Sequence, residues 1–191
     1  MSTFSYRIIN SITIYRILAA PVLFFLIFSD NLEYFKWMLA ISFFTDLIDG
    51  YLARKYKVTS ILGSRLDSIG DDLTVLAAFT GLVVFKHSFF MEQLYIFIVL
   101  FSLFIIQNIA ALIRYGKITS FHTYLAKSAA ILQGLFFILL FLLQQPMMIL
   151  FYAASAITFL ELIEEIFLVF ILKEWTVNVK GLYAVLKSVK R

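Results

Sequence analysis

The 191-residue chain has no cysteine, two histidines, two prolines and seven glycines, and only 15% of its residues are charged. The missing cysteine excludes a disulfide framework, thiol catalysis and cysteine-ligated metals. Two histidines leave little scope for a His-rich zinc site. Few prolines and glycines mean few helix breakers, so long helices can run unbroken. The scarcity of charge, against 62% hydrophobic residues and 22 phenylalanines, excludes an ordinary soluble globule and a disordered chain. A mean hydropathy of +0.95 points to an all-α, polytopic membrane protein.

A bilayer core of about 30 Å takes roughly 20 helical residues. On that ruler the sequence predicts six spans, near 12–29, 34–54, 68–86, 92–114, 124–144 and 147–172. Short connectors make these a single bundle and one domain over 1–191, with Pro146 placed to start the last helix. Of 16 Lys and Arg, only Lys36 and Lys86 fall on one side of this arrangement. The other basic residues, including Arg7, Arg16, Lys55, Lys57, Arg65, Lys117 and the tail lysines, fall on the opposite side. That bias places both termini in the cytoplasm, as in a bacterial cytoplasmic membrane, and assigns the net charge of +4 to orientation and lipid headgroups, not nucleic acid. The tail from Val177 to Arg191 and the opening Phe4–Ile9 read as short amphipathic segments on the membrane surface. No cleavable signal peptide is expected.

Five of the 12 acids are aspartates between positions 46 and 72. Asp46 and Asp49 lie in the apolar run ISFFTDLIDGYLA, and Asp67 and Asp71 open the third span. Spacings of three and four put each pair on one helical face. Ionised carboxylates gathered at a membrane boundary repel and are costly to desolvate, so they call for cations. An all-oxygen donor set favours Mg²⁺ or Mn²⁺, and four carboxylates suggest two ions clamping a diphosphate. Gly50 and Ala53 leave room beside the first pair, Arg54 supplies a fixed charge for phosphate, and Gly63 is expected in a tight loop turn. Asp72, about 100° further round the helix, reads as a solvated charge.

These residues carry a family resemblance. The stretch DLIDGYLARKYKVTSILGSRLDSIGD reads D-x2-D-G-x2-A-R-x8-G-x3-D-x3-D and resembles the signature of the CDP-alcohol phosphotransferase family at all eight fixed positions. The opening NSITIYRILAAPVLFFLIF resembles the first helix of bacterial phosphatidylglycerophosphate synthases. The resemblance implies a homodimeric membrane enzyme using CDP-diacylglycerol and two divalent metals. It implies Asp46, Asp49, Asp67 and Asp71 as metal ligands, with Asp71 also the general base. It implies Asp46, Asp49, Gly50, Ala53, Arg54 and Gly63 at the nucleotide and diphosphate.

The motif leaves the acceptor alcohol open. Arg114 and Lys127, in IRYGKITSFHTYLAKSAA, are candidate ligands of an acceptor phosphate, which favours glycerol 3-phosphate. The position two before Lys127, often a second lysine in glycerol-phosphate enzymes, is Leu125 here. Inositol phosphate, serine or phosphatidylglycerol as acceptor, or a CDP-amino-alcohol donor with diacylglycerol, are the alternatives. Lys117, His122, His87 and Glu92 read as loop residues. Glu161, Glu164 and Glu165 stand out in the sixth span, either paired with Arg114 or Lys127, in a wet cavity, or binding an acceptor amine. The rival class is a cation channel or carrier built on the aspartates.

Overall fold

The computed structural model describes residues 3–56, 61–119, 121–176 and 179–189, with side chains omitted at 3–14, 46–47, 49–56, 61–68 and 188–189. Among the described residues there are helices and no strands. Six helices are long: α1 (Thr3–Phe28), α2 (Leu32–Tyr56), α3 (Ile61–Phe85), α5 (Leu94–Tyr115), α6 (Tyr124–Leu142) and α7 (Met148–Ile171). Two are short, α4 (His87–Glu92) and α8 (Leu182–Val189).

Several helix ends agree with the apolar runs to within two residues, and two begin much earlier. The span ruler measures hydrocarbon thickness, whereas a helix satisfies its own backbone and continues until a breaker stops it. No glycine or proline precedes Pro21 in α1, so Phe4–Ile9 continue the first helix and do not form a separate surface segment. Likewise α3 begins at Ile61, and Gly63 lies inside a helix, not in the loop turn the sequence suggested. Pro146 stays outside α7, whose N-cap is Met147.

Among the described residues two helices, α5 and α6, are long and apolar enough to cross a membrane by length and composition. Ile98, Phe101, Phe104 and Ile113 on α5 are exposed, as lipid-facing side chains are. In α7 the three glutamates interrupt an otherwise apolar helix.

The chain divides into two compact units, Met1–Met91 with Phe137–Gln144, and Glu92–Phe136 with Gln145–Arg191. In the first, α1 packs on α2 and α3. Phe35 is fully buried, with its ring 5.0 Å from Phe141 and 5.3 Å from Phe85. Gly81 makes that approach possible, because a Cβ there would lie 2.5 Å from the Phe35 ring. Ser42, Thr74 and Thr80 return their hydroxyls to carbonyls of their own helices, which satisfies them in apolar surroundings. Lys86 donates to the carbonyls of Leu143 and Gln144 just past the end of α6, where a cation is favoured.

In the second unit α5 packs on α7, and α7 on α8. Ala111, Phe121, Leu168, Val169 and Val185 form its buried cluster. Gln133 of α6 donates to Thr158 of α7 at 2.6 Å, a polar tie of the kind that joins membrane helices.

Candidate active site

The aspartate motif falls on two helices that pack together. Asp46 and Asp49 lie on α2, and Asp67 and Asp71 on α3. Gly50, Ala53 and Arg54 follow on α2, and Gly63 precedes Asp67 on α3. Each Asp pair thus falls within one helix. Among these positions the described side chain is that of Asp71. Among the described residues no group of three or more His, Asp or Glu gathers at a metal-binding distance. Lys57 lies outside the described residues, as do the side chains of Lys55 and Arg65.

Asp71 has a partner that sequence reasoning missed. Arg16 of α1 is 1% exposed, and its guanidinium forms an ion pair with the Asp71 carboxylate. Gly70 lies against this pair: a Cβ there would make ordinary contact with the Arg16 side chain, 3.4 Å from its Cβ. The Gly70 carbonyl accepts from the buried Thr74 hydroxyl at 2.8 Å. A buried guanidinium needs a carboxylate, and among the described residues Asp71 supplies one. The Asp71 side chain is 42% exposed, so it also faces outward from this buried anchor. Asp72 is exposed, as its helical phase predicts.

The second set of candidates lies around the α5–α6 connection. Arg114 in the last turn of α5 is exposed and donates through Nε to the Leu172 carbonyl at 3.0 Å. Lys127, in the first turn of α6, is exposed with Nζ 5.8 Å from the Tyr124 ring centre. Gly116 ends α5 in the left-handed region, φ 66°, donating to the Leu112 carbonyl at 2.9 Å. Thr123 starts α6 by accepting from the Ala126 N–H at 3.1 Å. Between them Phe121 and Thr123 are fully buried and His122 takes φ 50°. The described residues of this connection are anchored by these contacts, and His122 and Lys117 are exposed on it.

Two of the three glutamates of α7, Glu164 and Glu165, accept hydrogen bonds within the protein. Glu165 is buried and accepts from the Gln107 amide of α5, which also donates to Thr119. Glu164 accepts the Leu182 N–H at 2.8 Å. The sequence suggested Arg114 or Lys127 as their partners, whereas the donors these two meet are the Gln107 amide and the Leu182 N–H.

Residues 7–163 match the family described as CDP-alcohol phosphatidyltransferase. The chain belongs to this family. Among curated proteins, an 82-residue segment is 37% identical to a CDP-diacylglycerol–glycerol-3-phosphate 3-phosphatidyltransferase of Haemophilus influenzae, covering 41% of this chain and 44% of that one. A 70-residue segment is 41% identical to the protein of the same name in Rickettsia bellii, covering 35% and 38%. A 62-residue segment is 39% identical to a cardiolipin synthase (CMP-forming)/mitochondrial hydrolase fusion protein of Schizosaccharomyces pombe, covering 32% and 10%. The matched segments thus span less than half the length of these relatives. No solved structure matches the chain.

Proposed function

We propose that this protein transfers the phosphatidyl group of CDP-diacylglycerol to glycerol 3-phosphate and releases CMP. The observation that carries the reading is the eight-position motif, intact on α2 and α3 and inside the family match. Family membership also answers the channel or carrier alternative. The acceptor is inferred from the names of the relatives and from Arg114 and Lys127, whose charges suit a phosphate that serine or inositol would not bring.

The donor set fits a pair of hard divalent cations, because Asp46, Asp49, Asp67 and Asp71 offer oxygen alone. These four would hold Mg²⁺ or Mn²⁺, which when bound would neutralise the diphosphate and the charge that develops on it. Gly50, Ala53, Arg54 and Gly63 would admit and bind the nucleotide diphosphate. Asp71 takes the proton of the acceptor hydroxyl. The freed oxygen forms a bond to the lipid-linked phosphorus, the bond from that phosphorus to the oxygen bridging it to the CMP phosphate breaks, and CMP departs with the electron pair. Arg16 holds the Asp71 carboxylate in place from behind. Six spans, cytoplasmic termini, a single catalytic domain and a homodimer belong to the same proposal.

The test is CMP release by protein in nanodiscs, supplied with CDP-diacylglycerol and Mg²⁺ or Mn²⁺. Glycerol 3-phosphate should support release, whereas inositol phosphate, serine and phosphatidylglycerol should not. Release with one of those three in its place would reassign the acceptor.

A further inference from the structure

Glu161, Glu164 and Glu165 take no part in the reaction as proposed, yet carboxylates in an apolar helix are too costly to be idle. Two of them tie segments outside α7 to that helix. Glu164 accepts the Leu182 N–H at the start of α8, and Gly181 just before it has φ 143°. A Cβ at Gly181 would sit 3.0 Å from the same carboxylate oxygen, so glycine there serves both the backbone and the contact. Glu165, through Gln107, reaches Thr119 in the α5–α6 connection.

The tail fixed in this way lies along that connection. The Val179 N–H donates to the Phe121 carbonyl at 2.7 Å, and Tyr124 N–H to the Lys180 carbonyl at 3.5 Å. Trp175 Nε1 donates to the Ile118 carbonyl at 3.1 Å, with Lys117 Nζ 4.9 Å above the indole. Val185 shares the buried cluster with Phe121, and Val179 and Leu182 pack against it. The Tyr115 hydroxyl and Arg114 Nε both meet the Leu172 carbonyl at the end of α7. The segment from Arg114 to Lys127 is therefore held by α7 and by the tail that follows it.

We propose that the C-terminal tail is an intramolecular strap that sets the geometry of the Arg114–Lys127 segment for the acceptor phosphate, and that Glu164 is the positioning residue that fastens it. This rests on the reading of Arg114 and Lys127 as acceptor ligands. A phosphate held by two cations from consecutive helices is sensitive to their spacing, and the strap fixes the chain between those helices.

Two variants undo the clasp from opposite sides. Glu164→Ala removes the acceptor. Leu182→Pro removes the donor at the first position of a helix, where proline is tolerated. Glu164→Gln keeps an accepting oxygen. In full-length protein in nanodiscs, hydrogen exchange of the 117–124 amides should rise about tenfold in the first two variants and stay near the wild-type rate in the third. The KM for glycerol 3-phosphate should rise about five- to tenfold with kcat and the KM for CDP-diacylglycerol within about twofold. Unchanged exchange, or equal changes in both KM values, would overturn the strap. Lys127→Ala separates the two readings. If it raises the acceptor KM and Glu164→Ala does not, the strap proposal alone fails. If neither raises it, the acceptor assignment fails and the strap's role in catalysis with it.

Discussion

Arg16 and Asp71 show how a single contact changes the meaning of two residues. In the sequence Arg16 is one more orientation charge in an apolar run, and Asp71 is the last aspartate of the motif. Together they are an ion pair between α1 and α3 with the guanidinium buried. A side chain so held loses rotamer freedom, which suits a base that must meet one proton. Arg16→Met should lower kcat about tenfold or more while KM for both substrates stays within about threefold, and Arg16→Lys should recover part of the loss. Steady-state kinetics on the three proteins checks this, and an unchanged kcat in Arg16→Met would reduce the pair to a structural tie. The motif was legible because its spacing is local. The ion pair was not, because nothing in an apolar run says which distant helix returns beside it. Glu164 and Glu165 were opaque for the same reason: their partners, the Leu182 N–H and Gln107, lie on other helices.

At the scale of elements, apolar runs predicted that helices exist better than where they begin. Helix α3 starts at Ile61, and this carries Gly63 and Asp67 into one helix with Asp71. Gly63 therefore lies within a helix, in place of the turn its residue type suggested. Gly81 on the same helix has a packing role that composition could not reveal. It faces Phe35, whose ring is confined by Phe85 and Phe141 and cannot withdraw. Gly81→Ala should therefore destabilise the first unit by roughly 1–3 kcal/mol despite the better helix propensity of alanine. Thermal unfolding in detergent measures it, and an equal or higher midpoint would contradict the packing account.

For the whole molecule, the same scarcity of charge that excludes a soluble globule makes each basic residue informative. Lys36 and Lys86 stand apart from the rest, and the proposed topology puts them on the face opposite the termini. The absence of cysteine gives a clean test. A lone cysteine at Lys86 should react with an impermeant maleimide from the non-cytoplasmic side of sealed vesicles, and one at Lys117 from the cytoplasmic side alone. Labelling of both from one side would break the six-span arrangement. The all-helical class and the motif's family were thus readable from composition and local spacing, whereas the contacts that hold the segment between Arg114 and Lys127 emerged with the tertiary structure.

The central claim is that this chain breaks the diphosphate of CDP-diacylglycerol with Asp71 as base. The most direct measurement is CMP release from CDP-diacylglycerol and glycerol 3-phosphate, comparing wild type, Asp71→Asn and wild type with chelator. Release should proceed in the wild type, fall by about a thousandfold or more in Asp71→Asn, and stop with chelator. Wild-type release that survives Asp71→Asn, or folded protein that neither binds nor cleaves CDP-diacylglycerol, would contradict the account.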